Sequence, residues 1–320
     1  MATTEARRSR RARIDDPSEG VWYPKWFWPA FVLPGMLLLI VLFVLPFYVI
    51  LGVVFGKLDP ILQTPVLAWS PVQWDRAAFG ATVAELISSG GLYREAFIRT
   101  LWFVGVATGL CLLIGYPFAY FVARHAGKYK VAFLIAFFVP FWISYMMRMT
   151  AWVNILQDNG YVNRVLEAVG LMHADAPYQW LSGKSVTVIL GLVYGYIPLM
   201  ILPLYAVLDR IPQSQLEGAR DLGASPAGAF RRVTLPSSTQ GILAGIILCA
   251  LPMFGDYFTN RLLADTSGTR MIGNWIVDSL QVPIFVPRGA SLSLIVLLLL
   301  VVPIGYYLRS TRRAARGVVG

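Results

Sequence analysis

The chain has 320 residues, 57% of them hydrophobic and 14% charged, with a formal net charge of +10 and a mean hydropathy of +0.63. Soluble domains carry about 25% charged residues, so this composition excludes a water-soluble globule, a disordered chain and a secreted disulfide scaffold. It reads as an integral membrane protein.

An arginine-rich stretch opens the chain, with Arg7, Arg8, Arg10, Arg11 and Arg13. No aromatic-interleaved basic fold accompanies it, so it reads as an orientation signal and a contact for anionic lipid, with no nucleic-acid partner. The apolar run behind it is too long for a signal-peptide core. Trp22, Tyr23, Trp26 and Trp28 form an interfacial belt in front of the first span.

Uncharged stretches at 26–56, 100–123, 131–147, 185–208, 233–255 and 289–308 are the six expected membrane helices. The third is short, and its helix is expected to continue past Arg148 through Ala151, Trp152 and Val153. The stretch 60–74 is uncharged too, but Pro60, Pro65 and Pro71 break it. The expected organisation is a basic N-terminal segment 1–25, a six-helix all-α domain 26–308 and a C-terminal tail 309–320.

The positive-inside rule orients these spans. Residues 1–25, 124–130, 209–232 and 309–320 share one side and hold 17 Lys/Arg against 7 acids. The opposite loops, 57–99, 148–184 and 256–288, hold 10 of each. The whole net charge therefore falls on one face, and both termini are expected in the cytoplasm.

Within the outer loops, Val162, Val165, Leu166 and Val169 fall at helical spacing and suggest a short amphipathic helix against the bundle. Gly105/Gly109, Gly191/Gly195 and Gly241/Gly245 match small-xxx-small and allow close helix approach, within this subunit or against another. Pro140, Pro198, Pro203 and Pro252 are expected to bend their helices. The cysteines, Cys111 and Cys249, lie in apolar runs and read as small buried hydrophobes. His125 and His173 have no acidic or cysteine partner at ligand spacing, so a His/Cys metal site is not expected. Ser182-Gly183-Lys184-Ser185 fails as a phosphate loop, because Tyr178 stands where the first glycine is required.

The loop 209–236 is more than a connector. Pro212 suits a first helical position, Gly223 a C′ position, and Ser225-Pro226 an N-cap followed by N1. Two short helices with a sharp turn at Gly223 follow, with Leu216, Ala219 and Leu222 as a small apolar stripe. Permeases of ABC importers carry a cytoplasmic signature of E-A-A, three residues, G, nine residues and I-x-L-P. This chain resembles it with Glu217-Gly218-Ala219, three residues, Gly223, nine residues and Val233-Thr234-Leu235-Pro236. The departures are Gly218 for alanine and Val233 for isoleucine. Gly218 weakens its helix by up to ~1 kcal/mol.

A narrower resemblance, to spermidine/putrescine permeases, rests on four stretches. They are Pro140 to Trp152, Ile155 to Gly160, Gly255-Asp256-Tyr257 and Met271-Ile272-Gly273-Asn274. Related importers of other solutes share such motifs. The resemblance implies a type I ABC importer permease fold with a coupling-helix pair, and a multi-pass subunit of the cell membrane that is not itself an enzyme. It implies a second permease subunit, two cytoplasmic ATP-binding subunits, an external solute-binding protein and a small-molecule substrate, with no cofactor on this chain. A polycation crossing apolar surroundings needs carboxylates or aromatic faces in place of water. Asp256 with Tyr257, and Asp158 with Tyr145 and Trp152, are the candidates. Arg148 repels such a substrate and is expected in a structural ion pair with Asp158 or Asp256.

Two other classes remain at this point. A gradient-driven transporter couples through carboxylates at membrane centres, and the six runs hold none. A membrane enzyme needs a polar catalytic constellation, and none is found. The orientation has a direct test: cysteines introduced near Ser70 and Ser182 should label from outside intact cells, whereas those near Ser214 and Thr311 should not. Reversed labelling overturns it.

Overall fold

The computed structural model describes residues 26–171, 173 and 177–317, with side chains to Thr311; the segment 1–25, including Trp22 and Tyr23, lies outside the described residues. Apart from a hairpin of two-residue strands, β1 (Lys57–Leu58) and β2 (Pro65–Val66), the regular elements described are helical. Asp59 shapes that hairpin. Its carboxylate accepts the amides of Leu62 and Ile61, both at 2.8 Å, which holds its pKa below the usual carboxylate value. The chain divides into two units, residues 1–52 and 53–320.

Nearly all of the first helix, α1 (Phe27–Val54), lies in the first unit. Its 28 residues reach about 42 Å, more than the ~30 Å of a hydrocarbon core. It carries no charge, and its side chains from Phe31 to Leu45 are exposed, Phe43 by 74%. The helix widens into a π-turn at Ile40–Val44, where the Leu45 amide reaches the Ile40 carbonyl. Pro46 follows and has no N–H to give Leu42, so the π-turn is a local repair for a missing donor.

The second unit contains α2 (Ala77–Ile87), α3 (Leu92–Arg124), α4 (Lys130–Phe138), α5 (Tyr145–Leu156), α6 (Tyr161–Ala168) and α7 (Ser185–Arg210). Then come α8 (Gln213–Asp221), α9 (Pro226–Ser237), α10 (Thr239–Phe254), α11 (Phe258–Leu263), α12 (Ile272–Gln281) and α13 (Val286–Gly317). The core lies where α3 and α7 pack along each other, with α10 across both. Phe103, Ala107 and Cys111 meet Leu192, Met200 and Leu204 there, joined by Cys249 and Met253. Both cysteines are free and buried.

Among the described residues, four helices are long and apolar enough to cross a membrane, and two bent pairs raise the number to six where each pair is one span. The third expected span does not run straight past Arg148. Residues Gly127–Trp142 meet α5 at 86°. Pro140 ends the helix in a 3-10 turn, Val139–Trp142, and Ile143 and Ser144 are extended, with ψ of 140° and 139°. The fifth span is likewise shorter than its apolar run. α9 and α10 meet at 60° near Ser238, so residues 233–237 belong to the segment before the bend. α9 repeats the device of α1, with a π-turn at Phe230–Thr234 placed just ahead of Pro236.

The remaining details are mixed. Val162 and Leu166 on α6 are half-buried, whereas Val165 and Val169 are exposed, so the inward stripe is narrower than its spacing suggests. The glycine pairs also divide. A Cβ on Gly241 would lie 3.0 Å from the Pro203 carbonyl oxygen, and one on Gly195 would lie 2.7 Å from the Tyr145 ring. Gly105 and Gly109 have nothing within 4 Å. The close approach of α10 to α7 has a test. Gly241→Leu should cost about 1–3 kcal/mol by overpacking, whereas Gly105→Leu should leave thermal unfolding of the isolated detergent-solubilised chain unchanged.

Candidate functional site

α10 runs through Pro252 and ends at Phe254 with Gly255 at its C-cap, and the chain turns at Asp256 into α11. Asp256 is only 5% exposed. Burying a carboxylate is costly unless donors surround it. Here the Tyr145 hydroxyl donates to Asp256 Oδ2 at 2.8 Å, the Tyr196 hydroxyl at 3.0 Å and the Thr259 hydroxyl at 2.5 Å. The Thr259 amide donates to Oδ1 at 2.9 Å, and the Tyr145 and Thr259 hydroxyls also touch each other. One carboxylate thus ties the first residue of α5, the middle of α7 and the start of α11 to the end of α10. Gly195 permits this, since a side chain there would occupy the space of the Tyr145 ring.

Arg148 lies one turn along α5 from Tyr145. The ion pair expected for it is not formed: the ion pairs among the described residues join Lys130 to Asp209, Arg261 to Asp278, and Arg270 to both Asp265 and Asp278. Its guanidinium instead faces the rings of Phe141, Tyr145 and Tyr194, at 4.7, 5.4 and 5.7 Å from their centroids. Asp256 is saturated by hydroxyl and amide donors, and the extended backbone at Ile143 and Ser144 brings Phe141 over the guanidinium. Trp152 packs edge-on against Tyr194 at 5.3 Å.

Tyr145, Arg148, Trp152 and Asp256 therefore belong to one neighbourhood. Two other candidates do not join it. Asp158 is exposed at the turn between α5 and α6, beside a cavity of about 250 Å³ shared with Asn163, Glu167 and His173. The Tyr257 ring pairs with Phe258 at 4.7 Å. Sequence reasoning missed Phe141, Tyr194, Tyr196 and Thr259. The signal was Tyr194-Gly195-Tyr196, two phenols flanking a small residue inside an otherwise apolar span.

The loop 209–236 forms a second site. α8 and α9 are the expected pair of short helices, but Pro212 stands one place before the expected first helical position, at the N-cap with no side-chain cap, and Gln213 is the first residue of α8. The Gly223 amide donates to the Arg220 carbonyl at 2.8 Å and the Ala224 amide to the Ala219 carbonyl at 3.0 Å. Those two bonds make a Schellman turn, with Gly223 at φ +86°. Ser225 Oγ accepts the Gly228 amide at 3.1 Å, the expected N-cap. The apolar stripe splits, however. Leu216 and Ala219 are half-buried, while Leu222 is 91% exposed at the tip. Glu217 is exposed and, among the described residues, accepts from Gln213 at 3.1 Å. Arg124 donates to the Ile211 carbonyl at 2.8 Å, and the edges of Tyr116 and Tyr120 meet Phe230 at 5.8 and 5.5 Å. The end of α3 thus grips both ends of the helix pair.

The carboxylate node has a stability test. Tyr196→Phe removes one donor and should cost about 1 kcal/mol, whereas Asp256→Ala orphans several donors and should cost about 3 kcal/mol or more. Thermal unfolding in detergent measures both. Equal costs would show that Asp256 is not the node.

Residues 115–316 match the family described as binding-protein-dependent transport system inner membrane component. Spermidine/putrescine transport system permease protein PotB of Haemophilus influenzae is 33% identical over 257 residues, covering 79% of this chain and 88% of that protein. PotB of Escherichia coli is 34% identical over 222 residues, covering 69% and 79%. In structure, the chain is similar to one in a bacterial alginate ABC transporter solved with its pentasaccharide-bound periplasmic protein. The TM-score is 0.66 at 17% identity, covering 90% of this chain and 95% of that one. The matched family spans the helix pair, the Asp256 node and the last four of the six apolar segments, and the chain belongs to the binding-protein-dependent transport system inner membrane components.

Proposed function

We propose that this chain is the permease subunit of an ATP-driven importer of polyamines. It carries the path across the membrane and couples it to a separate ATPase. The helix pair 213–237 carries the reading. A tight Schellman turn with an exposed leucine at its tip is a docking element, and α3 holds its base. Glu217, Gly218, Ala219, Gly223, Val233, Leu235 and Pro236 are its coupling residues. Two cytoplasmic ATP-binding subunits, a second permease and an external solute-binding protein complete the assembly, and this chain itself catalyses nothing. The six-helix domain is 26–308, with both termini cytoplasmic.

Polyamine as the solute is supported by the two PotB relatives, named for spermidine and putrescine, and by the aromatic rings gathered around Tyr145. Asp256 contributes by holding those rings in place, while Trp152, Asp158 and Tyr257 are path candidates of this subunit. The arrangement favours a polycation because π faces replace water around an ammonium without neutralising it.

Reconstitution tests both halves. With its partners in proteoliposomes, the chain should take up radiolabelled spermidine only when ATP and the ATPase are present. Gly223→Val forces a β-branched residue into a left-handed conformation, at about 1–2 kcal/mol, and should leave ATP hydrolysed without uptake. Uptake driven by an ion gradient alone overturns the importer. Wild-type uptake by both Gly223→Val and Glu217→Ala overturns the coupling role.

A further inference from the structure

The Arg148 guanidinium is held in an unusual way. Its Nε donates to the Ile143 carbonyl at 3.2 Å, while its Nη1 is buried without a hydrogen-bond partner. Among the described residues, no carboxylate lies within salt-bridge distance. It also sits in the first turn of α5, where the helix dipole disfavours a cation. Arginine stays charged in proteins, so the charge cannot be shed. What remains to hold it is three aromatic faces.

Those faces are well prepared for a cation. Phe141 comes from the 3-10 turn before α5, Tyr145 from α5 and Tyr194 from α7, so three segments converge on one point. The Tyr145 hydroxyl donates to the Asp256 carboxylate, which polarises the phenol and enriches its face in negative charge. Trp152 locks Tyr194 from the side. A cavity of about 700 Å³ is lined by Phe141, Trp152 and Tyr194 together with Leu110, Phe137 and Val193, so two of the three rings are reachable through open space.

We propose that Phe141, Tyr145 and Tyr194 form a binding site for an organic cation, an alkylammonium or guanidinium head, and that Arg148 occupies it as a tethered stand-in. An incoming cation must displace the arginine. The arginine therefore sets the threshold for entry, and a half-buried guanidinium whose Nη1 has no partner is a poorly held occupant. This inference deepens the importer reading and rests on it only for the identity of the natural cation, the amine end of a polyamine.

Equilibrium binding of radiolabelled methylguanidinium and of putrescine to the full chain in nanodiscs tests it. Arg148→Ala empties the cage and should bind both about tenfold more tightly than wild type, the size of one desolvated cation–π contact. Arg148→Lys keeps a tethered cation and should resemble wild type. Adding Tyr194→Leu to Arg148→Ala should return binding to the wild-type level. Arg148→Gln, similar in bulk, replaces the alanine variant if that one fails to fold. Binding within twofold in wild type and in the emptied variant, or binding undiminished by Tyr194→Leu, overturns the proposal. Methylguanidinium is no polyamine, so it reports on the cage whatever the solute. The polyamine reading fails separately, if the assembled wild-type transporter takes up no spermidine.

Discussion

In a bilayer, every backbone amide and carbonyl must find its partner inside the protein, and this requirement governs where these helices break. Proline removes a donor, so a proline within a helix leaves a carbonyl to be rehoused, although α7 runs on unbroken through Pro198 and Pro203. At Pro46 and Pro236 the chain inserts a π-turn immediately upstream, over Ile40–Val44 and Phe230–Thr234. At Pro140 it abandons the helix, passes through a 3-10 turn and restarts at Tyr145. Just past Pro252, in the last turn of α10, the helix ends at Phe254 and the chain turns at Asp256. The turns that follow Pro140 and Pro252, and the residues gathered at them, fit this accounting.

The last two breaks face each other. Restarting α5 at Tyr145 brings a phenol to its N-terminus, and stopping α10 at Gly255 brings a carboxylate to the same place. Their hydrogen bond, with Tyr196 and Thr259, closes the polar groups of both corners on each other. A buried carboxylate with four donors is a strong structural node because each donor meets a charged acceptor. The aromatic cage around Arg148 is built on that node, since Tyr145 belongs to both.

Much of this was legible in the residues. Apolar runs gave six segments, and the family-like spacing from Glu217 to Pro236 picked out the helix pair. Gly223 at C′ and Ser225 at the N-cap took those positions because capping chemistry is local and few residues satisfy it. The bends were less legible: Pro140 marked the break near Ile143, but Pro198 and Pro203 lie inside an unbroken α7, and the break near Ser238 stayed hidden because an apolar run reports burial in lipid and not straightness. The fate of Arg148 was also hidden. Charge pairing suggested a carboxylate partner, but the Asp256 carboxylate is filled by hydroxyls from helices distant in sequence, and no local pattern encodes that.

The π-turn at Phe230–Thr234 has a consequence for how insertions and deletions act. A π-turn holds one residue more than the regular helix it replaces, and one residue amounts to about 100° of rotation about the axis. The faces of α8 and early α9 are therefore phased against α10 by a residue that packs as surplus. Deleting one residue there would read as a harmless repair to a regular helix. Yet it would swing the exposed Leu222 about a quarter of a turn away from its present heading. The widened turn acts as a fixed angular offset between two rigid segments, so the length of this stretch carries information that its composition does not.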